Sequence, residues 1–385
     1  MNPPRKPLLR LQPLALLFVK LGAIGFGGGM AVLALMEEEL VRRRKLMDPE
    51  ELLHGLALGQ ILGSFATNAA YFVGHRFFGF LGGMTCAVAF MAPSVALVIG
   101  LSWLYFTFHA LPALNATLKG LGPVVIALIL GAAWSMGRKA LRSWQAGLLA
   151  AVALALALLR VNAPVIMGLG AVVGLVTGKA ALSRTPSRAL ASRPVPALLA
   201  LGGAPLAAAP VAASLLVTAW TFIKMGFIFF GGGFVLVPVL HQKLVVALGW
   251  LTPREFIDGV AISNLTPGPI AVLATFAGYR LQGVPGALVA TAALFLPALA
   301  LMALLTHFYS RMRDLRHAQN LLAGLVPVMV GLILAAALLL APGALHGLPG
   351  FGLFGLALVL LVRFRWHPAF VLGLGALLGM AGWVH

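Results

Sequence analysis

Long stretches without a charged side chain constrain the fold of this sequence more than any other feature. Examples run from Phe80 to Phe108, from Leu281 to Ser310 and from Ala318 to Val362. A helix needs about 20 apolar residues to cross the hydrocarbon core of a bilayer. The chain is 61% hydrophobic and 9% charged, whereas a soluble domain is about 25% charged. The sequence therefore excludes a soluble globule and predicts an all-α polytopic integral membrane protein of about 10 to 13 membrane segments.

The positive charge of the chain indicates topology rather than a nucleic-acid partner. Its net charge is +18, from 27 Lys and Arg against 9 Asp and Glu. These cations fall mostly in short breaks between apolar runs, which is where cytoplasmic loops carry positive charge. Aromatic residues near the ends of runs are typical of interfacial anchors. They are Trp103, Tyr105, Trp134, Trp144 and Trp366.

The chain contains the same unit twice, with equivalent residue numbers differing by 204. Phe18-x-Lys20-x-Gly22 matches Phe222-x-Lys224-x-Gly226, and Gly74-x-Arg76 matches Gly278-x-Arg280. Matches at Lys, Arg, Glu, Pro and triple Gly do not come from apolar composition. We predict a first repeat over residues 12–178 and a second over 213–385. The linker between them, 179–212, has room for an extra membrane crossing.

Charges at equivalent loops predict that the repeats have opposite orientations in the membrane. Arg42 to Lys45 correspond to the uncharged Val246 to Gly249, whereas Arg313 and Arg316 have no charged counterparts in the first copy. Opposite bias of this kind is typical of an inverted-topology repeat. We expect the N-terminus inside and the C-terminus outside, with the segment before Arg42 re-entering rather than crossing.

Triple glycines in each copy predict a broken helix at membrane depth. They are Gly27, Gly28 and Gly29 in the first copy, and Gly231, Gly232 and Gly233 in the second. Each glycine costs a helix about 1 kcal/mol relative to alanine. A break here would expose backbone N–H groups, and the following helix would point its positive N-terminus at an anion. Close packing of helices is the alternative role.

A second break is predicted where two prolines interrupt an apolar run. The segment contains Asn264, Thr266, Pro267, Gly268 and Pro269. Proline removes a backbone donor, and irregular backbone is tolerated at membrane depth only beside protein or water. This segment should therefore line a cavity or the interface between the repeats. The first copy has Gly63-Ser64-Phe65 where the second has Pro-Gly-Pro.

Ionisable residues beside the breaks are candidates for anion binding or proton coupling. The cations are placed to neutralise an oxyanion, or to anchor the chain at the headgroups. They are Lys20, Lys224, Arg76 and Arg280. The carboxylates suit either proton coupling or the first helical turn. They are Glu51, Glu255 and Asp258. Glu37 to Glu39 beside Arg42 to Lys45 indicate a solvated loop with charge pairing.

Signatures of enzymes and metal sites are missing from the sequence. It has no Walker A motif, no His-Glu-x-x-His, no Gly-x-Ser-x-Gly and no cluster of Cys and His. We therefore predict neither catalysis nor a catalytic residue, and neither a cofactor nor a metal site.

The duplicated Phe-Gly-Gly-Gly, the Pro-Gly-Pro and the segment Gly278-Tyr279-Arg280 together resemble the chromate ion transporter family in its long, two-half form. The resemblance covers essentially the whole chain. It implies efflux of chromate from the bacterial cytoplasm across the cytoplasmic membrane, driven by the membrane potential or a proton gradient, with sulfate as a look-alike dianion. The family usually has Pro-Gly-Pro in its first half too, so Gly63-Ser64-Phe65 is a departure that bears on the substrate.

These expectations combine into one functional prediction. Two repeats hold a small oxyanion between their broken segments, with glycine N–H groups, the four cations and the polar groups of Asn264 and Thr266 as ligands. Transport of another anion or a small metabolite is the first alternative. A membrane scaffold subunit whose glycines serve packing alone is the second. A homodimer is left open.

Overall fold

The computed structural model describes residues 10–25, 29–48, 52, 64–108, 112–159, 161–182, 214–228, 234, 236–308 and 316–383. Every regular element in these ranges is helical, which confirms the predicted all-α class. The predicted linker and its extra crossing lie almost entirely outside the described residues, so they stay predictions.

The helices of the two halves follow the same order. Those of the first half are α1 (Leu11–Ile24), α2 (Gly29–Met36), a π-helical segment π1 (Glu37–Arg43), α3 (Phe65–Phe108), α4 (Pro112–Ala140), α5 (Trp144–Leu158) and α6 (Ala163–Leu182). Those of the second are α7 (Leu215–Ile228), α8 (Leu236–Leu240), π2 (His241–Ala247), α9 (Pro253–Leu265), a 3₁₀ turn (Ile270–Val272), α10 (Leu273–Phe308), α11 (Arg316–Ala344), α12 (Gly347–Val362) and α13 (Pro368–Met380).

The element boundaries confirm the internal repeat. Adding 204 to the bounds of α1, α4 and π1 gives the bounds of α7, α11 and π2. A π-helix is a rare element, and each of these is followed two residues later by a left-handed residue, Lys45 or Gly249. Two copies of so uncommon a conformation at one spacing indicate a duplicated fold rather than a coincidence of apolar letters.

Helices α3 and α10 each fold back on themselves near their N-terminal ends. The backbone leaves helical geometry at Gly79, with φ +63°, and at Gly283, with φ +60°. A Cβ placed on Gly74 would overlap the carbonyl of Gly82, yet eight residues of continuous helix would separate them by about 12 Å. Each element is therefore a hairpin of two packed helices, whose reversal needs a residue that tolerates positive φ.

The described chain forms two compact units, each containing parts of both halves. The first comprises α1, α2, π1, α3 as far as Trp103, α7 and the chain from Ser263 to the end of α10. Within it, α1 packs on α3 where Gly22 meets the carbonyl of Phe90, and α7 packs on α10 where Gly226 meets the carbonyl of Leu294. These two crossings are equivalent under the repeat, and small residues let the backbones approach closely in both.

The second unit pairs helices of one half with helices of the other. A Cβ on Gly120 of α4 would overlap the carbonyl of Gly375 on α13, and one on Gly324 of α11 would overlap the carbonyl of Gly170 on α6. Because α4 corresponds to α11 and α6 to α13, the two contacts are equivalent under the repeat. In each of them, a helix of one half packs on a helix of the other half. The two halves are therefore interlocked within this unit.

This interlocking predicts matched effects of two distant substitutions. Gly120→Ala and Gly324→Ala should each destabilise the protein by about 2 kcal/mol, because overpacking a well-packed contact typically costs 1 to 3 kcal/mol. Thermal unfolding in detergent measures both. Gly168→Ala is the control, since Gly168 has open space around its Cβ position and alanine improves helix propensity. A clearly unequal pair would contradict equivalent packing in the two halves.

The apolar surface of the helices suits a bilayer. Among the described residues, four helical stretches are long and apolar enough to cross a membrane: Phe65–Phe108, Asn115–Arg138, Ile270–Thr306 and Ala323–Ala344. Four of the five predicted interfacial aromatics are at least half exposed, as anchors should be: Trp103, Trp134, Trp144 and Trp366. The prediction is wrong for Tyr105, which is 8% exposed because its hydroxyl is engaged inside the second unit.

Candidate functional site

The second-half break lies where the two prolines predicted it, starting two residues later than expected. Helix α9 runs through Asn264 and ends at Leu265. Gly268 has φ +103°, and extended backbone at Pro269 leads into the 3₁₀ turn. Proline at two of four positions removes the donors that would continue the helix, so α9 and α10 are separate helices.

This break meets the end of α1, which belongs to the other half. The backbone N–H of Gly268 donates to the carbonyl oxygen of Gly25, at 3.1 Å. Gly25 ends α1 and directly precedes the segment with the first triple glycine. The structure therefore joins the Pro-Gly-Pro break of the second half to the C-terminal end of α1 in the first half, inside one compact unit.

Ser94 of α3 fixes the other side of the Pro-Gly-Pro loop. Its hydroxyl is completely buried and donates to the carbonyl oxygen of Pro267. A Cβ on Gly268 would overlap the Ser94 oxygen, so glycine is required here both by φ and by space. Ser94 was not predicted as a functional residue, because its only local signal is a polar residue directly after Pro93 in an apolar run.

The polar groups of the break are mostly used internally. Pro267 and Pro269 have no N–H, and that of Gly268 is donated to Gly25. The buried hydroxyl of Thr266 donates to the carbonyl oxygen of Ser263, at 3.1 Å. Asn264 is half-buried one residue before the end of α9. The loop at 267–269 therefore offers carbonyl oxygens rather than donors, and donors for an anion must come from elsewhere.

The glycine segments of the prediction fall largely outside the described residues. Gly27, Gly28, Gly231, Gly232 and Gly233 are not described, and Gly29 is the first residue of α2. Their predicted role as backbone donors therefore stays a prediction. The positions of Gly25 and Gly29 show that α1 and α2 are separate helices with this segment between them.

Lys20 is paired with a carboxylate of π1. Its Nζ lies 3.1 Å from Oε1 of Glu39, which also faces Arg43 at 3.5 Å and Arg44 at 3.4 Å. The Glu39 side chain is 10% exposed, against 54% for Lys20. The hydrogen bond from Lys20 holds the pKa of Glu39 below its ordinary value, although burial acts in the opposite direction. The carboxylate is therefore ionised at neutral pH.

Lys224 lies in a different environment, although it is the repeat equivalent of Lys20. Its ammonium is 5.0 Å from the ring centroid of Trp220, within the range of a cation–π contact. Trp220 is 59% exposed. A lysine stacked on an exposed tryptophan is typical of the membrane interface, so the two lysines are not interchangeable.

The structure does not bring Arg76 and Arg280 to the break. Both are exposed and each lies three residues before the glycine at which its hairpin reverses. About 10 Å of helix separates the start of α10 at Leu273 from Arg280. The pair therefore marks the hairpin tips rather than the Gly25–Gly268 junction.

The three candidate carboxylates, Glu51, Glu255 and Asp258, differ in their structural environments. Glu51 lies outside the described residues. Glu255 closes a capping box at the start of α9: its Oε2 accepts from the N–H of Thr252 at 2.7 Å, and the Thr252 hydroxyl oxygen accepts from the N–H of Glu255 at 3.1 Å. This geometry explains Glu255 as a helix cap.

Asp258 is the buried carboxylate among these candidates. It is 1% exposed; its Oδ2 accepts from the Tyr105 hydroxyl at 3.0 Å and from Arg254 Nε at 3.2 Å. Its Oδ1 is buried and accepts no hydrogen bond. Helix α9 is not among the apolar helices, and burial raises the pKa of Asp258 to about 6 against the lowering effect of Arg254. This carboxylate can therefore gain or lose a proton near neutral pH.

Metal binding has no support in the described part of the chain. No three His, Cys, Asp or Glu side chains converge there in a way that could hold a metal ion. The chemistry of the described residues is that of hydrogen bonding and charge.

A duplicated set of apolar helices, interrupted in the second half at the Pro-Gly-Pro loop, is typical of a polytopic membrane transporter. The chain belongs to the chromate transporter family, whose model matches residues 13–175 and 216–380. These two matched regions agree with the two structural halves.

Individual members of the family resemble the chain over most of its length. A probable chromate transport protein of Synechococcus elongatus is 31% identical over 92% of this chain and 90% of its own length. Chromate transport proteins of Cupriavidus metallidurans and Pseudomonas aeruginosa are 29% and 32% identical, covering 98% and 95% of this chain and 94% and 90% of their own lengths. No solved structure matches the chain.

Proposed function

We propose that this protein exports chromate, or a similar tetrahedral dianion such as sulfate, from the bacterial cytoplasm across the cytoplasmic membrane. The observation that carries the proposal is the hydrogen bond between Gly268 and Gly25, at 3.1 Å. It joins a break from each half, and helix breaks at a repeat interface are where secondary transporters bind their substrates. Names of the relatives support chromate as the ion.

Donors for the anion are assigned to the first-half side of this junction. The Pro-Gly-Pro loop presents no N–H of its own, because two residues lack it and the third donates to Gly25. The glycine-rich segment after Gly25 can supply N–H groups, and α2 follows it with a positive N-terminus. The Pro-Gly-Pro loop then acts through its hydrogen bond to Gly25, the residue directly before this segment.

The membrane potential is sufficient to drive export of a dianion. Moving one charge through 100 mV is worth about 2.3 kcal/mol, so two charges gain about 4.6 kcal/mol. At about 1.4 kcal/mol per factor of ten, this supports a gradient of roughly a thousandfold without protons. The buried Asp258 favours an additional coupling, in which protons enter as the anion leaves.

Uptake of labelled chromate by everted membrane vesicles tests the proposed function. We expect uptake energised by an inside-positive potential and inhibited by excess sulfate. Lys20→Ala should reduce this uptake strongly, because the cation on α1, five residues before Gly25, is lost. Arg76→Ala and Arg280→Ala test the predicted ligand roles of the two arginines, and both variants should keep most of the uptake because both residues lie at hairpin tips.

Two outcomes of the uptake experiment would contradict the proposed function or narrow its substrate range. Vesicles that contain folded, inserted protein but take up no more chromate than empty-vector vesicles would overturn chromate export. Uptake that persists with sulfate in large excess would restrict the site to chromate and exclude a general site for tetrahedral dianions.

A further inference from the structure

One carboxylate of the first unit is enclosed by cations on three sides. Lys20 and Arg43 reach Oε1 of Glu39, at 3.1 and 3.5 Å, and Arg44 reaches Oε2 at 3.4 Å. The Glu39 side chain is 10% exposed, whereas those of the three cations are 45% to 63% exposed. Cations that remain open to solvent therefore cover an almost buried anionic centre.

These ion pairs are not needed to form the π-helix that carries them. The repeat equivalent π2 has the same length and position, yet it has none of the acidic or arginine side chains of π1. Its one charged side chain, Lys243, stands at the position of Glu39. The positions of Glu37, Glu38 and Glu39 are occupied by His241, Gln242 and Lys243, and those of Arg42, Arg43 and Arg44 by Val246, Ala247 and Leu248. The network is therefore an addition to one half of a shared fold, and the fold itself does not explain it.

Three cations around two carboxylate oxygens have the chemistry of an oxyanion site. Lysine supplies a compact charge, and arginine supplies planar donors that match carboxylates and other oxyanions. A carboxylate carries one negative charge and two oxygens, whereas a tetrahedral dianion carries two charges and four oxygens. Such a dianion can satisfy the same three cations more fully than Glu39 does.

We propose that Lys20, Arg43 and Arg44 form a binding site for a divalent tetrahedral oxyanion, which Glu39 occupies as a tethered competitor until the oxyanion displaces it. The inference deepens the proposed function, because it assigns to the substrate a second site with its own charge chemistry. The site occurs in one half only, because the second half has Lys224 at the position of Lys20 but Ala247 and Leu248 at those of Arg43 and Arg44. Glu39 then keeps singly charged anions out, because they gain too little to displace it.

Glu39→Gln tests the competition directly. The amide keeps the size of the side chain and removes its charge, so Lys20 and Arg44 are left for the oxyanion, while Arg43 keeps Glu38 at 3.1 Å as a partner. If Glu39 fills the site about nine-tenths of the time, its removal lowers the apparent dissociation constant about tenfold. We expect this change for sulfate and for chromate, measured by isothermal titration of the purified protein. Chloride and nitrate should gain affinity too, which would show as lost selectivity.

Glu37→Gln is the matched control. Glu37 is a carboxylate on the same segment, 43% exposed and paired with Arg42 rather than with the three cations. Exposed pairs are worth little, so its removal should change oxyanion affinity by no more than about twofold. Equal affinities of Glu39→Gln, Glu37→Gln and wild type for sulfate and chromate would overturn the proposal.

If Glu39→Gln lowers the stability of the protein, the shift of its melting temperature by added anions provides a second measurement of binding. Sulfate should raise the melting temperature of this variant more than that of wild type, and by more than sodium chloride does at the same ionic strength. Glu39→Asp keeps the charge on a shorter side chain and should retain wild-type selectivity. A Glu39→Gln protein that sulfate does not stabilise beyond wild type would contradict an oxyanion site.

Binding and transport separate this inference from the proposed function. Wild type that transports no chromate, combined with a tenfold gain of sulfate affinity in Glu39→Gln, would remove the chromate assignment and retain the site. Normal chromate export with unchanged affinity in Glu39→Gln would retain the proposed function and remove the tethered competitor.

Discussion

Gly268→Ala is expected to abolish chromate export while leaving the protein in the membrane. The substitution forces an alanine to adopt φ +103° and places its Cβ on the buried Ser94 oxygen. Strained backbone of this kind costs about 1 to 3 kcal/mol, and overpacking adds about 1 to 3 kcal/mol. The loop must therefore shift, and the hydrogen bond to Gly25 is lost. Energised uptake by everted vesicles should fall by about tenfold or more.

Alanine variants of two further glycines distinguish the effect of backbone strain from the effect of losing the Gly25–Gly268 hydrogen bond. Gly283 has φ +60° and no atom within 4 Å of a Cβ position, so Gly283→Ala carries strain without a clash. Gly100 is an exposed helical residue with open space, so Gly100→Ala carries neither. We expect wild-type uptake from Gly100→Ala and a partial loss of uptake from Gly283→Ala. Equal uptake by Gly268→Ala and Gly100→Ala would show that the Gly25–Gly268 junction is not part of the transport path.

Ser94→Gly should relieve the steric clash in Gly268→Ala, but not its backbone strain. It removes the hydroxyl that a Cβ at 268 would meet, but it leaves the φ of residue 268 unchanged. The double variant Ser94→Gly with Gly268→Ala should therefore unfold at a higher temperature than Gly268→Ala alone. Its uptake should stay low if backbone geometry, rather than the clash, limits the junction.

Features that depend on local chemistry were predictable from the sequence. The internal repeat could be found because Lys, Arg, Pro and Gly recur at one spacing in a chain dominated by apolar letters. The second-half break could be placed because proline removes a backbone donor wherever it lies. Both predictions concern what a residue does to its own segment, which requires no knowledge of its neighbours in space.

Features that depend on distant contacts were not predictable. Ser94 and Pro267 are 173 residues apart, and Tyr105 and Asp258 are 153 apart. A serine in an apolar run and a tyrosine near its end have ordinary explanations, and nothing local identifies their partners. Arg280 was expected near the break for a similar reason: Gly283 is visible in the sequence, but the reversal of the chain there is not.

Asp258→Asn is expected to uncouple chromate export from the pH gradient while leaving the response to voltage. Burial raises the pKa of Asp258 to about 6, so the carboxylate is protonated below this value and ionised above it. In everted vesicles, an acidic interior should drive chromate uptake by wild type. The asparagine variant cannot carry the proton, so this uptake should fall to the level of empty-vector vesicles. An imposed inside-positive potential should still drive it.

Folding stability provides a second measurement with a defined sign. The raised pKa of Asp258 means that the folded protein holds this proton more tightly than the unfolded chain, whose carboxyl titrates near 3.8. The stability from this group is therefore complete below about pH 3.8 and is lost as the pH rises through about 6. Between pH 5 and pH 8 the melting temperature of wild type should fall more than that of Asp258→Asn.

Neighbouring groups define the controls for Asp258. Tyr105, Arg254 and Glu255 act on it directly, and His241 of π2 packs against Phe256 of the same helix. Tyr105→Phe removes a hydrogen bond that favours the ionised form, so the pH midpoint of uptake should move upward. Glu255→Gln keeps the capping box, in which glutamine can replace glutamate, and should retain pH-driven uptake. If Asp258→Asn retains pH-driven uptake as well, this carboxylate does not couple protons to transport.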